Sequence, residues 1–519
     1  MAGALSAAGG GACGPIGAAV AVLAAGALFR LALAATLPLG LDEAYAIAVA
    51  RDWSLAFFDH PPLGFWAGVV LAELTGIEHP LAYRLPFVVL GTLTGIAVWW
   101  LGMRLGGPRA GLWAAVLQAV APHMVLGSGV MVLPDAPMNA ALAWLALLLA
   151  GLAGRTAAPP AAAWAAGGLL LALALAAKLQ AGLAALAVFG WLAADPLRRR
   201  WLARPGPWIG AAIAAAGLLP TLLWNAANGW PSAGLHGARL TGIADPGNLA
   251  LMAAGQAVYL LPPVMVLCAL GMLRAARSGA APAERLLLWL AAVPVGVFAP
   301  VYLFGTWTFP HWPMQGWLMA IPLAGLWAAT AAPRLARLAR GWLAGFAALF
   351  WPLAVLGAVQ LASGPFTRGM ERPPAWDESV GLFDWRPLGP ALAAGDWLDG
   401  VEMLMAPGWI EGGLMATALG GAWPMRVPGE ARNAHHFAFL PAAGKRRPTL
   451  LLSPGTLAEA PGRLAAARAL AAAEGATVGR YGVVVLPRGG RPHAAVVALR
   501  LEWPAVTGPS PPAATPARP

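Results

Sequence analysis

Between residues 15 and 362 the chain alternates long apolar runs with short segments that hold most of its charge. A bilayer-spanning helix needs about 20 apolar residues. On that rule spans are predicted near 15–38, 83–104, 109–127, 136–154, 161–177, 179–194, 207–224, 250–273, 285–305, 314–332 and 341–362, eleven in all. The pair flanking Lys178 is open to being broken or re-entrant, and the run at 63–76 is short enough to be interfacial. The first run, Ile16 to Pro38, exceeds the about 7–15 residues of a signal-peptide core and has no clear cleavage site after it, so it reads as a retained helix. From 363 to 505 the apolar runs shorten and charge becomes denser. Arg447 to Ser453 reads as a strand, Leu457 to Glu474 as an Ala-rich helix, and Tyr481 to Leu486 and Ala494 to Leu501 as strands, together a small α/β domain. The Pro/Ala/Ser-rich end, 506–519, reads as a disordered tail.

Composition agrees with that pattern. The 519 residues are 59% hydrophobic and 11% charged, with mean hydropathy +0.68, against about 25% charged in soluble chains. The formal charge of +11 and pI near 10.8 invite a nucleic-acid reading. However, the cations sit in short groups between spans, such as Arg198 to Arg204 and Arg334 to Arg340, which is the pattern of membrane-orienting charge, and nucleic acid is set aside. Cys13 and Cys268 are the only cysteines, too far apart in kind of segment to suggest a disulfide framework.

With a cytoplasmic N-terminus, the inside loops hold Arg104 with Arg109, Arg155, Arg198 to Arg204, Arg274 with Arg277 and Arg285, and Arg334 to Arg340. The opposite loops hold chiefly Arg51, Arg84 and Arg239, so the bias obeys the positive-inside rule. An odd number of spans then puts the C-terminal domain outside the cytoplasm. The carboxylates run the other way: of those before Ala362, only Asp195 and Glu284 fall inside. Acids contribute little to topology, so their crowding outside points to an outward-facing site.

The densest group is Leu41 to Leu63, with Asp42, Glu43, Asp52, Asp59 and His60 beside lipid-compatible spans, where charge is costly and functional by default. Asp42 follows Pro38 and Gly40, where it can cap a helix from Glu43 to Trp53, act as a general base, or do both. Pro61 and Pro62 fix the backbone after Asp59 and His60, which suits binding a divalent cation, contacting a phosphate, or an Asp–His hydrogen bond. Asp135 stands at the outer start of a helix, again a cap or a site acid. Lys178 is the only lysine before residue 445 and can snorkel or neutralise a phosphate. Trp224, Asn225, His236 and Arg239 in one outer loop, and His311 with Trp312 in another, offer interfacial anchoring or a surface for a sugar. His435-His436 lack evident acidic or Cys partners and are discounted as a metal pair. No Walker-type loop or dinucleotide-binding Gly motif is present, which argues against an ATP-driven pump and a nucleotide-sugar enzyme.

Five motifs in order, Asp42-Glu-Ala-Tyr45, Phe58-Asp-His-Pro-Pro62, Pro134-Asp-Ala-Pro137, Trp224-Asn to Gly229-Trp-Pro231 and His311-Trp-Pro313, resemble those of bacterial polytopic glycosyltransferases of the GT-C class. The likeness is to the dolichyl-phosphate-mannose–protein mannosyltransferase-like family and the related aminoarabinose transferases, over about 15–330. It implies an inner-membrane enzyme that moves a sugar from a polyprenyl-phosphate donor to a periplasmic acceptor: a glycolipid such as lipid A, a polysaccharide or a protein. By resemblance Asp42, with Glu43 beside it, is the catalytic carboxylate. Asp59, His60, Lys178 and Arg239 then serve the donor phosphate or a metal, and Tyr45, Asp135, Trp224, Asn225, His236, His311 and Trp312 serve sugar or acceptor. No cofactor is implied beyond a possible divalent cation at Asp59 and His60. The aminoarabinose branch has Glu-Lys-Pro where this chain has Asp59-His60-Pro61, and Lys-Tyr-Thr where it has Lys178-Leu179-Gln180. A single displacement with inversion is the stereochemistry the resemblance implies. The alternative is a transporter or lipid flippase with an outward acidic site.

Overall fold

Proline sets where most of the helices begin. A computed structural model describes residues 14–238, 242–306, 308–367, 382–442 and 446–503, and the chain divides into two units at Phe366/Thr367. The first unit is helical: α1 (Pro15–Thr36), α2 (Leu41–Ala50), α3 (Pro62–Thr75), α4 (Pro80–Val120), α5 (Pro122–Val125), α6 (Asp135–Leu152), α7 (Ala161–Ala177), α8 (Gly182–Ala194), α9 (Pro205–Ala216), α10 (Leu219–Ala227), α11 (Pro231–Ala238), α12 (Pro246–Leu260), α13 (Pro262–Ala275), α14 (Pro282–Phe304), α15 (Met314–Thr330) and α16 (Pro333–Ser363). Ten of these open on proline, whose missing N–H is among those a first turn leaves unpaired and whose fixed φ suits the helix.

Among the described residues, by length and apolarity α1, α4, α6, α14 and α16 can each cross a membrane, and the bent pairs α9–α10 and α12–α13 raise the number to seven if each is one span. α3, α7 and residues 179–194 are shorter apolar helices. α4 takes in the span expected at 83–104 and the first part of that expected at 109–127, broken at Gly106 and Gly107, and it ends at Val120 ahead of α5. Gly107 takes φ 74°, a backbone state that favours glycine, and Pro108 opens the second half. The halves run back along each other, because a Cβ on Gly102 would lie 3.0 Å from the Gly111 Cα and one on Gly95 would lie 3.1 Å from Gln118 Oε1.

Two expected spans are not straight. Residues 250–273 bend by 101° between α12 and α13. Pro262 cannot donate to the α12 ladder and disfavours the α region for the residue before it, and the helix breaks at Leu261, which sits at φ 70°. Residues 207–224 bend by 43° at Gly217, which packs so tightly that a Cβ there would lie 2.3 Å from the Ala172 carbonyl. The last helix starts at Pro333, earlier than the 341 expected, so Arg334, Arg337 and Arg340 ride on it and are not in a loop. The core of this unit joins Leu101 and Leu117 of α4, Met138 and Leu145 of α6, Leu287 of α14 and Leu318 of α15.

The second unit is a small α/β domain with α17 (Leu388–Ala394), β1 (Met403–Met405), α18 (Trp409–Ala418), β2 (Met425–Arg426), α19 (Ala431–Ala434), β3 (Thr449–Thr456), α20 (Ala460–Ala473), β4 (Thr477–Arg488) and β5 (Arg491–Glu502). The sheet order is β2-β1-β3-β5-β4, the first three parallel and the last two joined antiparallel. Gly489 and Gly490, at φ 60° and 80°, make the two-residue turn between β4 and β5. Ala467 and Ala471 of α20 pack on Leu451, Val497 and Leu499. The strands expected at 447–453, 481–486 and 494–501 and the helix at 457–474 are present, whereas β1 and β2 are too short to leave a periodic signal. The tail assigned to 506–519 lies outside the described residues.

Candidate active site

Glu43 fixes the entrance to α2. Its fully buried carboxylate accepts four hydrogen bonds: Oε1 from Arg84 Nε at 2.8 Å and Val132 N at 2.9 Å, and Oε2 from Arg84 Nη2 at 2.6 Å and Gly40 N at 2.8 Å. Arg84 in turn donates to the carbonyls of Leu37 at 2.7 Å and Pro38 at 2.8 Å. One buried ion pair thus ties the end of α1, the start of α2, α4 and the 126–134 loop together. The N-cap is Gly40, with Glu43 as the returning side chain. Asp42 therefore does not cap the helix as the sequence allowed. The backbone already turns at Gly40, and Glu43 three residues on takes the free N–H.

Asp42 is left exposed in the first turn of α2. The protein around it and the Glu43 charge beside it push its carboxyl above the usual carboxylate range. The other acids that the sequence reading assigned to the outer side are largely committed. Glu73 and Glu78 lie on Arg51, Asp245 caps α12 through Gly247 N and Asn248 N, and Asp59 accepts from Tyr45 Oη at 3.3 Å. Asp42 and the exposed Asp52 alone have neither hydrogen-bond nor ion-pair partners among the described acids before α6.

The prolines after Asp59 act as the sequence suggested: Phe57 N donates to the His60 carbonyl at 2.9 Å and Pro62 begins α3. The His60 Nε2 atom stands 3.8 Å from Asp59 Oδ2, and its ring meets Phe65 edge-on. These two donors fit a cation only in part, since no group of three or more His, Cys, Asp or Glu is placed to hold a metal among the described residues.

A second cluster forms where α5, α6 and the α7–α8 break meet. Lys178 has extended backbone, φ −154°, and ends α7. Its Nζ donates to Asp135 Oδ2 at 2.8 Å with both side chains buried. Lys178 therefore does not snorkel, and Asp135 caps nothing: it is helical, with no bond to its own first turn, because the lysine takes its oxygen. His123 Nε2 lies 3.8 Å from Asp135 Oδ1, its ring parallel to His311 at 6.2 Å and edge-on to Tyr259 at 5.8 Å. The His123 side chain is buried. Tyr259 lies within electrostatic reach of both Asp135 and Asp42.

The remaining candidates are spread out. Asn225 is buried and holds a turn: Nδ2 donates to the Thr221 carbonyl and Oδ1 accepts from Ser232 N. Trp224 is buried on the same helix, and His236 lies on α11. Trp312 packs with Met252, Phe298 and Tyr302, while Arg239 lies outside the described residues. His435 stacks on Trp409 at 4.4 Å, and burial pushes its neighbour His436 down to about 3. The sequence reading missed His123, Tyr259 and the role of Arg84. A signal existed for His123, which adjoins Pro122 at a span end as His60 and His311 adjoin prolines; Tyr259 and Arg84 had none.

The architecture is an ArnT-like fold. It matches the crystal structure of ArnT from Cupriavidus metallidurans bound to undecaprenyl phosphate with TM-score 0.60 at 15% identity, over 92% of this chain and 97% of that one. It matches ArnT in the apo state with TM-score 0.60 at 16% identity, over the same shares. At such identities the likeness concerns the fold. No curated protein sequence matches the chain. In sequence, residues 59–224, less than half of the chain, match the family model for dolichyl-phosphate-mannose-protein mannosyltransferase. The matched stretch takes in Asp59, His60, Asp135 and Lys178 and leaves out Asp42 to Tyr45.

Proposed function

We propose that the chain is a glycosyltransferase that takes a sugar from a polyprenyl-phosphate carrier and passes it to a hydroxyl or amine on the periplasmic side of a bacterial inner membrane, with the N-terminus cytoplasmic and the second unit periplasmic. The observation that carries this reading is Asp42: an exposed, unpartnered carboxylate raised in pKa in the first turn of α2, with Tyr259 within electrostatic reach of it and of the Lys178–Asp135 pair. Ionised Asp42 removes the acceptor proton as the acceptor attacks the anomeric carbon. The carbon–oxygen bond to the lipid phosphate breaks, the phosphate leaves with the electron pair, and the sugar inverts. The Lys178 ammonium gives one N–H to Asp135, which leaves two to meet the leaving phosphate. Glu43, with both oxygens engaged, positions Asp42. Asp59 with His60 serves the donor phosphate or a divalent cation, and Tyr45 orients Asp59. Supporting the lipid-carrier donor are the family-model match and the fold shared with ArnT solved with undecaprenyl phosphate. Acceptors that suit the reading are a glycolipid such as lipid A, a polysaccharide or a protein.

The test is mass spectrometry of envelope lipids and glycans from a deletion strain carrying the wild-type gene or Asp42→Asn. Only the wild type should restore the missing glycoform, although the variant protein binds undecaprenyl phosphate normally. Full restoration by Asp42→Asn would remove Asp42 from the chemistry. The break at Lys178, a charged residue on an interrupted helix, is a feature transporters share. Sugar-lipid flux in proteoliposomes without glycosylated product would favour that second reading.

A further inference from the structure

We propose that the end of the helical unit opposite the candidate active site carries a binding cleft for an anionic glycerophospholipid. A cavity of about 480 Å³ is lined by Trp100 and Arg104 of α4, Trp144 and Leu148 of α6, and Ala166 and Leu170 of α7. That volume is within the about 300–1,000 Å³ range of small-ligand sites. Its position follows from the fold. Arg104 lies two residues before the Gly106–Gly107 turn of α4, whereas the ends of that hairpin lead to Glu78 and His123. In α6 the cleft residue Gly151 is sixteen positions from Asp135, about 24 Å at 1.5 Å per residue. The cleft therefore opens near the other membrane face.

Its chemistry is that of an acyl chain ending in an anion. The walls are apolar and aromatic except for Arg104, which is exposed and has neither a carboxylate nor a hydrogen-bond partner among the described residues. Gly151 makes room for it: a Cβ there would lie 2.6 Å from Arg104 Nη1, so the guanidinium rests directly against the helix backbone. Arg109 and Arg155 add two exposed cations at the same end. A protein helix would have to bring its own carboxylate on an apolar face, whereas the adjoining leaflet already presents phosphates at that depth beside acyl chains. Basic pockets between helices select anionic headgroups in this way. The inference rests on the fold and the free cation and does not depend on the reaction proposed above.

The purified full chain is tested by native mass spectrometry with phosphatidylglycerol or phosphatidylcholine, alongside melting curves to show that each variant is folded. Wild type should retain phosphatidylglycerol over phosphatidylcholine. Arg104→Gln should lower phosphatidylglycerol retention about five-fold, the worth of about one cation at a membrane surface, and Arg104→Lys should keep the preference. Ala166→Trp, which fills the cleft, should lower retention of both lipids. Unchanged phosphatidylglycerol retention in folded Arg104→Gln and Ala166→Trp would overturn the proposal. So would loss of an oligomer or a co-purifying protein in Ala166→Trp with lipid retention unaltered, which would give the cleft to a protein helix.

Discussion

Replacing Arg84 by Met tests whether the Glu43 clamp builds the site. The substitution removes two charge-assisted bonds to Glu43, at 2.8 and 2.6 Å, and those to the Leu37 and Pro38 carbonyls. It leaves a carboxylate at 0% exposure held by two backbone N–H groups alone. Breaking a buried pair by removing one partner costs about 3–5 kcal/mol, and at about 2–4 °C per kcal/mol in a large domain melting should fall by on the order of 10 °C. Cys268 offers the readout: it is a free, fully buried thiol on α13, so a thiol-reactive fluorophore reports unfolding in a Cys13→Ser background. Transfer activity below the new melting point should fall as well, because Gly40 and the first turn of α2 lose their anchor and Asp42 its direction. Glu43→Leu combined with Arg84→Met should recover only part of the loss, since Gly40 N, Val132 N and the Leu37 and Pro38 carbonyls remain unpaired. An Arg84→Met protein that melts with the wild type would refute the clamp. One that melts early but transfers at full rate would separate the clamp from the site.

Three further outcomes are expected. Asp42 works as a base only when ionised, so the acid limb of kcat/KM should lie above the ordinary carboxylate value of about 3.9 and vanish in Asp42→Asn. Stability runs the opposite way: with the folded pKa above the unfolded one, the contribution of protonated Asp42 is lost as pH rises through the folded value, so Asp42→Asn should melt no lower than wild type at pH 7. A drop in melting temperature there would contradict this. For the buried Lys178–Asp135 pair, Lys178→Met and Asp135→Leu should each cost about 3–5 kcal/mol while the double variant costs less than their sum, and strict additivity would argue against the 2.8 Å contact. With only Asp59 and His60 as donors, a divalent cation needs donor phosphate to complete its shell. Mn2+ should therefore raise the melting temperature only when polyprenyl phosphate is present, and a shift with Mn2+ alone would speak for further protein ligands.

The sequence by itself determined the membrane class, the helical ladder and the α/β character of the C-terminal unit, because a 20-residue apolar requirement and period-2 strands are local properties of the chain. It also marked Asp59, His60, Asp135 and Lys178, since a charge beside lipid is conspicuous wherever it ends up. What it could not supply is partnership. Glu43 and Arg84 are separated by 41 positions and Lys178 and Asp135 by 43, and no local rule distinguishes an acid that caps, an acid that clamps and an acid left open. Adjacent residues Asp42 and Glu43 read alike as letters; the packing of α4 and the 126–134 loop against α2 buries one and exposes the other. The sharp bend at Leu261 and the seating of His123 beside His311 are likewise tertiary outcomes. A proline permits a break at any angle, and only the neighbouring helices fix which one.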